Sequence, residues 1–263
     1  MIDIHTHLLP GVDDGSSSLQ QTIEQFRIMT QAGVKKVYLT PHFMRNLYHN
    51  TKEVILPVFD NLKNEVEALE LNIQLVLGSE FFIDNHAAET IKAEELTLGD
   101  SSYVLFESML QQIPADIFEQ TYQLQKAGYK LIMAHPERYT NIIRKPDLVE
   151  DFLHRDIYLQ INAGSLLGMY GRNVQHTAFG LLEKGYIHFI ASDNHGDHQE
   201  SVLAVAYQLV SHNFGEKIAE ELFENNPARI SSDEKIELIN HWRLPGKPKS
   251  FWSTLKTFFT GYE

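Results

Sequence analysis

The chain has 263 residues, of which 43% are hydrophobic, and a formal net charge of −13 at pH 7. Its length is enough to bury a full core, while no run reaches the roughly 18 consecutive apolar residues of a membrane-spanning helix. The acidic balance disfavours nucleic acid as a partner, because binding to phosphates needs a basic surface.

The chain contains no cysteine, and this absence removes whole classes of chemistry. Disulfides, thiolate metal ligands and a cysteine nucleophile are all excluded. The first residues also lack the basic and apolar regions of a secretion signal, so a cytoplasmic location is expected.

Seven short β-rich runs alternate with amphipathic stretches along the chain. The strand candidates are MIDIHTH, KKVYLTPH, IQLVLGSE, SYVLFES, KLIMAHPE, IYLQINAG and HFIASDNH. Helical periodicity lies between them, at residues 19–31, 52–71, 116–126 and 146–154. Seven such βα units favour a parallel α/β barrel, with an open doubly wound sheet as the alternative.

The last stretch of the chain, residues 236–263, differs in composition from the rest. Phe251, Leu255 and Phe258 follow at i, i+4 and i+7, which predicts a short amphipathic helix. We expect this helix to pack on the barrel or on a neighbouring subunit, so an oligomer is possible. A tail that binds a membrane surface or a partner protein is the alternative.

Most of the predicted strands end in a histidine or a carboxylate. Residues two apart in a strand face the same side, so His5 and His7 in the opening MIDIHTH could bind one ion together. The later strands end, in chain order, in His42, Glu80, Glu107, His135, Asn162 and the pair Asp193 and His195. They recur at intervals of about one or two βα units, which places them all at the carboxyl-terminal mouth of a barrel, where active sites lie.

Imidazole and carboxylate groups at these positions, with no lysine or arginine among them, predict metal ligands. Mixed nitrogen and oxygen donors suit manganese, iron or zinc better than calcium or magnesium. Asp14 in VDDG is a further carboxylate within reach, and the neighbouring Asp13 competes with it for this role. The glycine that follows favours a tight turn.

Taken in order, the motifs HTH, DDG, TPH, GSE, FES, AHPER and SDNH resemble those of the PHP (polymerase and histidinol phosphatase) superfamily. The stretches DIHTHLLPGVDDGS, AHPERY, QINAGS and ENNPARI are similar, more narrowly, to the bacterial metal-dependent protein-tyrosine phosphatases of capsule and exopolysaccharide synthesis. The resemblance runs from residue 1 to about residue 230. It implies a distorted TIM-like (β/α)7 barrel of the PHP type, with residues 1–235 as the catalytic domain.

The resemblance also implies three divalent metal ions, with manganese as the working metal and iron or zinc as alternatives. Carried over by motif, the first ion is held by His5, His7, Glu80 and Asp193, the second by Glu80, Glu107 and His135, and the third by Asp14, His42 and His195. A hydroxide activated by these metals is expected to attack phosphorus. The planar fork of Arg138 in HPER is expected to hold the phosphate.

One departure from the family pattern concerns phosphate binding. Members of the family often have an arginine a few residues beyond the SDxH motif, whereas the stretch here reads GDHQESV. Either His198 or Arg172 in MYGRN takes that place, or phosphate is bound less tightly. His198 is also a candidate general acid, with a metal-bound water as the alternative.

The substrate implied by the resemblance is phosphotyrosine on a protein, most specifically the tyrosine-rich tail of a bacterial polysaccharide-synthesis kinase. A related phosphatase of small monoesters such as histidinol phosphate is the first alternative. A non-catalytic binding module stabilised by metal is the second, although the chain retains all nine ligand candidates. The amidohydrolase class is disfavoured, because it typically has a bridging lysine where this chain has Glu107.

Overall fold

The computed structural model describes residues 1–238, and the predicted amphipathic helix around Phe251, Leu255 and Phe258 lies outside these residues. The strands described are Ile2–Asp3 (β1), Lys36–Leu39 (β2), His42–Phe43 (β3), Gln74–Leu77 (β4), Glu80–Phe82 (β5), Tyr103–Glu107 (β6), Lys130–Ala134 (β7), Tyr158–Asn162 (β8) and Phe189–Ala191 (β9). All of their pairings are parallel. The predicted α/β class with parallel strands is therefore confirmed.

The α-helices of this region connect the strands and cover them. They are Leu19–Gln31 (α1), Lys52–Ala68 (α2), Ala87–Glu94 (α3), Ile117–Lys126 (α4), Thr140–Arg144 (α5), Val149–Leu153 (α6), Ala163–Leu166 (α7), Arg172–Glu183 (α8), Val202–Phe214 (α9), Glu216–Glu220 (α10) and Asn226–Ser231 (α11). Short 3-10 turns lie at Pro136–Arg138 and Pro146–Leu148, and a π-helical turn lies at Glu221–Asn225. No helix within residues 1–238 has the length and apolar character to cross a membrane.

The strands form two sheets, ordered β1-β2-β4 and β3-β5-β6-β7-β8-β9. Two of the predicted strands are each divided between these sheets: KKVYLTPH gives β2 and β3, and IQLVLGSE gives β4 and β5. The first break falls at Pro41, which has no backbone N–H to donate to a ladder. The second falls at Gly78, where an added Cβ would lie 2.9 Å from the Leu98 side chain.

Backbone hydrogen bonds continue across the breaks and past the end of β1. The Gly78 N–H donates to the Leu39 carbonyl at 2.8 Å, close to the first break. On one side of the HTH segment, the Thr40 N–H donates to the Thr6 carbonyl at 2.8 Å. On the other side, the His7 N–H donates to the Asn194 carbonyl at 2.8 Å. The first histidine motif is thus bonded to segments that follow β2 and β9.

Successive side chains along a strand pack alternately into two hydrophobic clusters of the core. Val104 and Phe106 of β6 pack in the larger cluster with the surrounding helices, whereas Tyr103 and Leu105 pack in a smaller cluster with other strands. Because successive strand residues face opposite sides, Glu107 falls on the face of Tyr103 and Leu105. The smaller cluster therefore lies on the side of the sheet from which Glu107 projects.

His188, which precedes β9, is buried, and its Nδ1 accepts a hydrogen bond from the Leu159 N–H at 3.1 Å. Burial lowers the pKa of this imidazole to about 3, so it is neutral in the folded state, whereas the unfolded chain takes up the proton near pH 6.5. The unfolded state therefore binds more protons between these values, and stability falls as the pH falls.

We expect His188→Asn, whose side-chain oxygen can still accept the hydrogen bond, to lose less stability on acidification than the wild type. The difference should approach about 1.4 kcal/mol per pH unit below pH 6. Urea unfolding at several pH values between 4 and 7 measures it, with the exposed His86→Asn as control. Parallel curves for the wild type and His188→Asn would contradict the prediction.

Candidate metal centre

The structure brings together all nine predicted ligand residues. Ligand atoms lie within 4.8 Å of one another in three groups, which are His7, Asp14, His42 and His195; His5, His7 and Asp193; and His42, Glu80 and Glu107. His135 joins them through its Nε2, which lies 2.9 Å from Glu80 Oε1. The groups share His7 and His42 and form one continuous cluster.

Strand register explains why residues far apart in sequence meet here. In the pairing of β3 with β5, His42 lies opposite Glu80. In the pairing of β5 with β6, Phe82 lies opposite Glu107. Parallel strands end at the same edge of a sheet, so ligands at consecutive strand ends become neighbours, as the sequence predicted.

Two members of the cluster have left-handed backbone conformations. His135 follows β7 with φ of 37°, and Asp193 follows β9 with φ of 54°. Residues other than glycine rarely adopt this region, at a cost on the order of 1 kcal/mol. Hydrogen bonds hold both turns: the Arg138 N–H donates to the His135 carbonyl, and the Asp193 N–H donates to the His5 carbonyl, each at 2.9 Å.

Three of the imidazoles are oriented by an oxygen at Nδ1. His5 Nδ1 lies 2.9 Å from Gln160 Oε1, and His7 Nδ1 lies 2.7 Å from Asp13 Oδ2. His195 Nδ1 donates to the Asp193 carbonyl at 2.9 Å. In each histidine, Nε2 therefore faces the cluster and is available to coordinate a metal ion. Histidines that bind metals are commonly oriented in this way, through a hydrogen bond at the other ring nitrogen.

The two aspartates of VDDG have different positions. The Asp14 side chain is 51% exposed, and its Oδ1 lies 3.5 Å from His42 Nε2 and 3.8 Å from His195 Nε2. Asp13 turns away from solvent, contacts His7 and also accepts the His42 N–H at 3.0 Å. Asp14 therefore occupies the position of a direct ligand, and Asp13 that of an orienting carboxylate behind His7.

Gly15 allows this turn to lie against the first strand segment. A Cβ added there would lie 1.9 Å from the His7 carbonyl oxygen, and the following Ser16 N–H donates to that oxygen at 2.8 Å. Glycine is needed at position 15 because the backbone of the turn lies directly against the backbone of His7. No larger residue can keep the turn in place.

Charges within the cluster oppose the effect of burial. Burial would raise the pKa of the Glu80 carboxyl, but His5 and His42 hold it well below its usual range. Burial would lower the pKa of His42, but Glu80 and Glu107 raise it to about 10. The opposite charges of His42 and Glu80 therefore stabilise each other inside the cluster.

The donor set fits divalent transition metals. Glu80 Oε2 and His42 Nδ1 are buried and form an ion pair at 3.0 Å without hydrogen-bond geometry, and His135 Nδ1 is buried with no hydrogen-bond partner among the described residues. Such atoms are costly unless another partner satisfies them. Carboxylate and imidazole donors at these distances suit manganese, iron or zinc.

Arg138 lies at the edge of this cluster. Its Nη1 donates to Asp193 Oδ2 at 2.9 Å, and the side chain is 26% exposed. Within residues 1–238 it is the one arginine or lysine that pairs with a carboxylate of the cluster. The buried Glu137 fixes the turn that carries it, because its Oε1 accepts the Asn162 N–H at 2.9 Å and the Ser165 hydroxyl at 2.6 Å.

The structure does not bring the other two basic candidates into the cluster. Arg172 is the exposed first residue of α8 and makes no ion pair among the described residues. The His198 imidazole lies 3.7 Å from Asp197, and the residue lines a small cavity beside α1 with Gln25 and Ser201. Their roles in binding and proton transfer stay predictions.

A general acid at His198 would make turnover depend on this imidazole. We expect His198→Asn to lower kcat by less than about 10-fold, since its nearest charged partner is Asp197 rather than a cluster residue. A loss of about 100-fold or more, with full metal content, would restore the general acid role. The kcat for an aryl phosphate with a poor leaving group is the sensitive measurement.

The sequence analysis singled out Asn162 as a strand end, but it did not identify Gln160 or Glu137, which also contact residues around the cluster. Gln160 contacts His5, and Asn162 donates to Asp193 Oδ2 at 2.6 Å, so β8 supplies orienting groups rather than a ligand. The two residues are two apart in QIN, the same spacing as in HTH, which was the available signal. No sequence signal identified Glu137, whose position depends on the geometry of the turn after β7.

Comparison with known proteins identifies the family of this chain. The family model described as capsular polysaccharide synthesis, CpsB/CapC, matches residues 1–232. The chain belongs to this family. Curated relatives include the tyrosine-protein phosphatase YwqE of Bacillus subtilis, 30% identical over 86% of this chain and 89% of that protein. The tyrosine-protein phosphatase CpsB of Streptococcus agalactiae is 28% identical over 90% of this chain and 100% of that protein.

Solved structures show which proteins are similar to this chain in three dimensions. A chain from the work on YwqE from Bacillus subtilis and CpsB from Streptococcus pneumoniae, described as unique metal-dependent tyrosine phosphatases, superposes with a TM-score of 0.84. It is 27% identical and covers 95% of this chain and 100% of that chain. The lactonase Lmo2620 from Listeria monocytogenes superposes with a TM-score of 0.57 at 12% identity, over 89% of this chain and 95% of that chain, which shows a shared fold only.

The carboxylate behind His7 offers a first test of the centre. We expect Asp13→Ala to reduce metal affinity or activity by about 10- to 100-fold, because His7 loses the group that orients it and raises its basicity. The metal concentration that gives half-maximal turnover measures the effect, with the exposed Asp60→Ala on α2 as control. An unchanged value in Asp13→Ala would show that backbone geometry alone orients His7.

Proposed function

We propose that this chain is a metal-dependent protein-tyrosine phosphatase that removes phosphate from a bacterial polysaccharide-synthesis tyrosine kinase. The observation that carries the proposal is one continuous cluster of five histidines and four carboxylates with a single guanidinium, Arg138, at its edge. The family and the names of its curated tyrosine-protein phosphatases support the reaction. The tyrosine-rich tail of such a kinase is the substrate segment that we propose, and the cytoplasm is the proposed location.

For the fold, we propose that the two sheets are parts of one distorted seven-stranded barrel of the PHP type. Hydrogen bonds on both sides of the HTH segment, to Thr40 and to Asn194, support continuity between the sheets. Residues 1–235 would then be the catalytic domain. Ile236, one residue past this proposed boundary, is 2% exposed, and its N–H donates to the Tyr158 hydroxyl at 3.5 Å.

For the cofactor, we propose three divalent ions, with manganese as the working metal and iron or zinc as alternatives. The three proposed ligand sets are His5, His7, Glu80 and Asp193; Glu80, Glu107 and His135; and Asp14, His42 and His195, with His7 also close to the third set. When bound, the metals would activate a water and neutralise the charge of the phosphate. The grouping of ligand atoms within 4.8 Å of one another supports this assignment.

The residues of the chain bind and orient the substrate. Arg138 uses one amino group on Asp193, and its remaining N–H groups can bind phosphate oxygens in a forked geometry. Asp14 and His195, the most exposed ligands, place the third ligand set nearest to solvent. A tyrosine leaving group has a pKa near 10, so it needs less protonation than an alkyl alcohol.

Turnover of two substrates tests the proposal. The protein is stripped of metal, reloaded with manganese, and assayed on a phosphotyrosyl peptide and on histidinol phosphate. We expect rapid, metal-dependent release of phosphate from the peptide and slow release from histidinol phosphate. A preference for histidinol phosphate would move the protein to small-molecule metabolism, and inactivity on both with metal bound would favour a binding module.

A further inference from the structure

The loop between α7 and α8 places an aromatic ring on the guanidinium of Arg138. The centre of the Tyr170 ring lies 4.6 Å from the Arg138 Cζ, and Tyr170 is 38% exposed. Tyr170 therefore borders both solvent and the one guanidinium at the edge of the metal centre. Its neighbour Met169 is 53% exposed.

The position of this ring is fixed by the turn that precedes it. The Met169 N–H donates to the Gly164 carbonyl at 3.0 Å, and the Gly168 N–H donates to the Ser165 carbonyl at 3.2 Å. A Cβ on Gly164 would lie 3.0 Å from Met169 Sδ and 3.3 Å from Tyr170 Cε2. The loop thus packs closely on α7, and glycine at position 164 gives Tyr170 its space.

Two contacts then define the orientation of the Arg138 guanidinium. Asp193 holds one edge through a hydrogen bond of 2.9 Å, and Tyr170 covers one face. Asp193 is itself fixed by the Asn162 amide at 2.6 Å. An arginine held at an edge and a face keeps the plane of its guanidinium in one orientation, and that order lowers the entropy lost on binding a phosphate.

We propose that Tyr170 is a positioning residue, whose ring holds the Arg138 guanidinium in the plane in which it binds the phosphate of the substrate. The inference rests on the proposed role of Arg138 in phosphate binding. The stretch after SDNH supplies no second arginine, so the orientation of this single guanidinium determines how firmly the phosphate is held. Tyr170 acts through Arg138 and needs no contact with the reacting atoms.

The test compares Tyr170→Leu and Tyr170→Phe in the metal-loaded protein. The readouts are KM for a phosphotyrosyl peptide, the inhibition constant of inorganic phosphate, and metal content. We expect Tyr170→Leu to raise both constants about 3- to 30-fold, the range of a cation–π contact, with unchanged metal content. Tyr170→Phe keeps the ring and should stay within about twofold of the wild type. The exposed Tyr122→Leu on α4 is the matched control.

A double-mutant cycle separates positioning from a general structural effect. In an Arg138→Ala background, Tyr170→Leu should cause no further rise in either constant. The same rise in both backgrounds would overturn the inference. An Arg138→Ala variant with unchanged constants would overturn the role of Arg138 and this inference together, whereas a large effect of Arg138→Ala without one of Tyr170→Leu would overturn the inference alone.

Discussion

Replacing Glu80 by alanine is expected to remove bound metal and to lower kcat/KM by at least about 10³-fold. The carboxylate is buried and lies within 3.3 Å of His5, His7, His42 and His135. No other carboxylate of the described cluster reaches so many of its imidazoles. Its loss also leaves buried positive charges without a partner, so the free energy of unfolding should fall in the metal-free protein.

Metal content after dialysis, together with turnover of an aryl phosphate, measures this effect. His7→Ala should give the same result, because His7 belongs to two of the three ligand groups. The exposed Glu67→Ala on α2 serves as control for the loss of a carboxylate. Full metal content and wild-type turnover in either cluster variant would refute the assignment of the centre.

Replacing Arg138 by alanine should cause the second largest loss of activity, but without the loss of metal expected for Glu80→Ala. We expect kcat/KM to fall by about 10²- to 10³-fold, because the phosphate loses a preorganised charged donor, while metal content stays at the wild-type level. The inhibition constant of inorganic phosphate should rise in parallel. Loss of metal in this variant would instead make Arg138 a structural partner of Asp193.

The sequence predicted the ligands because their positions depend on a simple regularity. Short β-rich runs located all seven strand segments, and parallel strands carry their final residues to one edge. That argument places His42 beside Glu80 without knowledge of any loop, and the register of β3 and β5 confirms it.

The division of two strands between sheets could not be predicted from local pattern. KKVYLTPH and IQLVLGSE are each predicted as one continuous strand, and each is broken just before its last residue. The breaks depend on contacts distant in sequence, such as that of Gly78 with Leu98. Pro41 was a local hint, but a proline in a strand can also mark an edge.

The basic residues of the site show a similar limit. His198 and Arg172 lie near the motifs along the chain, yet neither belongs to the three ligand groups of the described residues. The residue that does contact Arg138 is Tyr170, two positions before Arg172. A loop rich in glycine can direct either side chain inward, so nearness in sequence did not determine nearness in space.

The hydrogen bonds that join the HTH segment to both sheets have a consequence for folding during synthesis. His5 and His7 lie at the start of the chain, but Asp193 and His195 follow the last strand, and contacts such as that of Ser192 with Asp3 span 189 positions. A chain that emerges from the ribosome N-terminus first cannot hold its metals until nearly 200 residues have been made and packed. Binding at the proposed metal centre would therefore require the folded chain, and a chain truncated before Asp193 would contain His5 and His7 without their proposed partners.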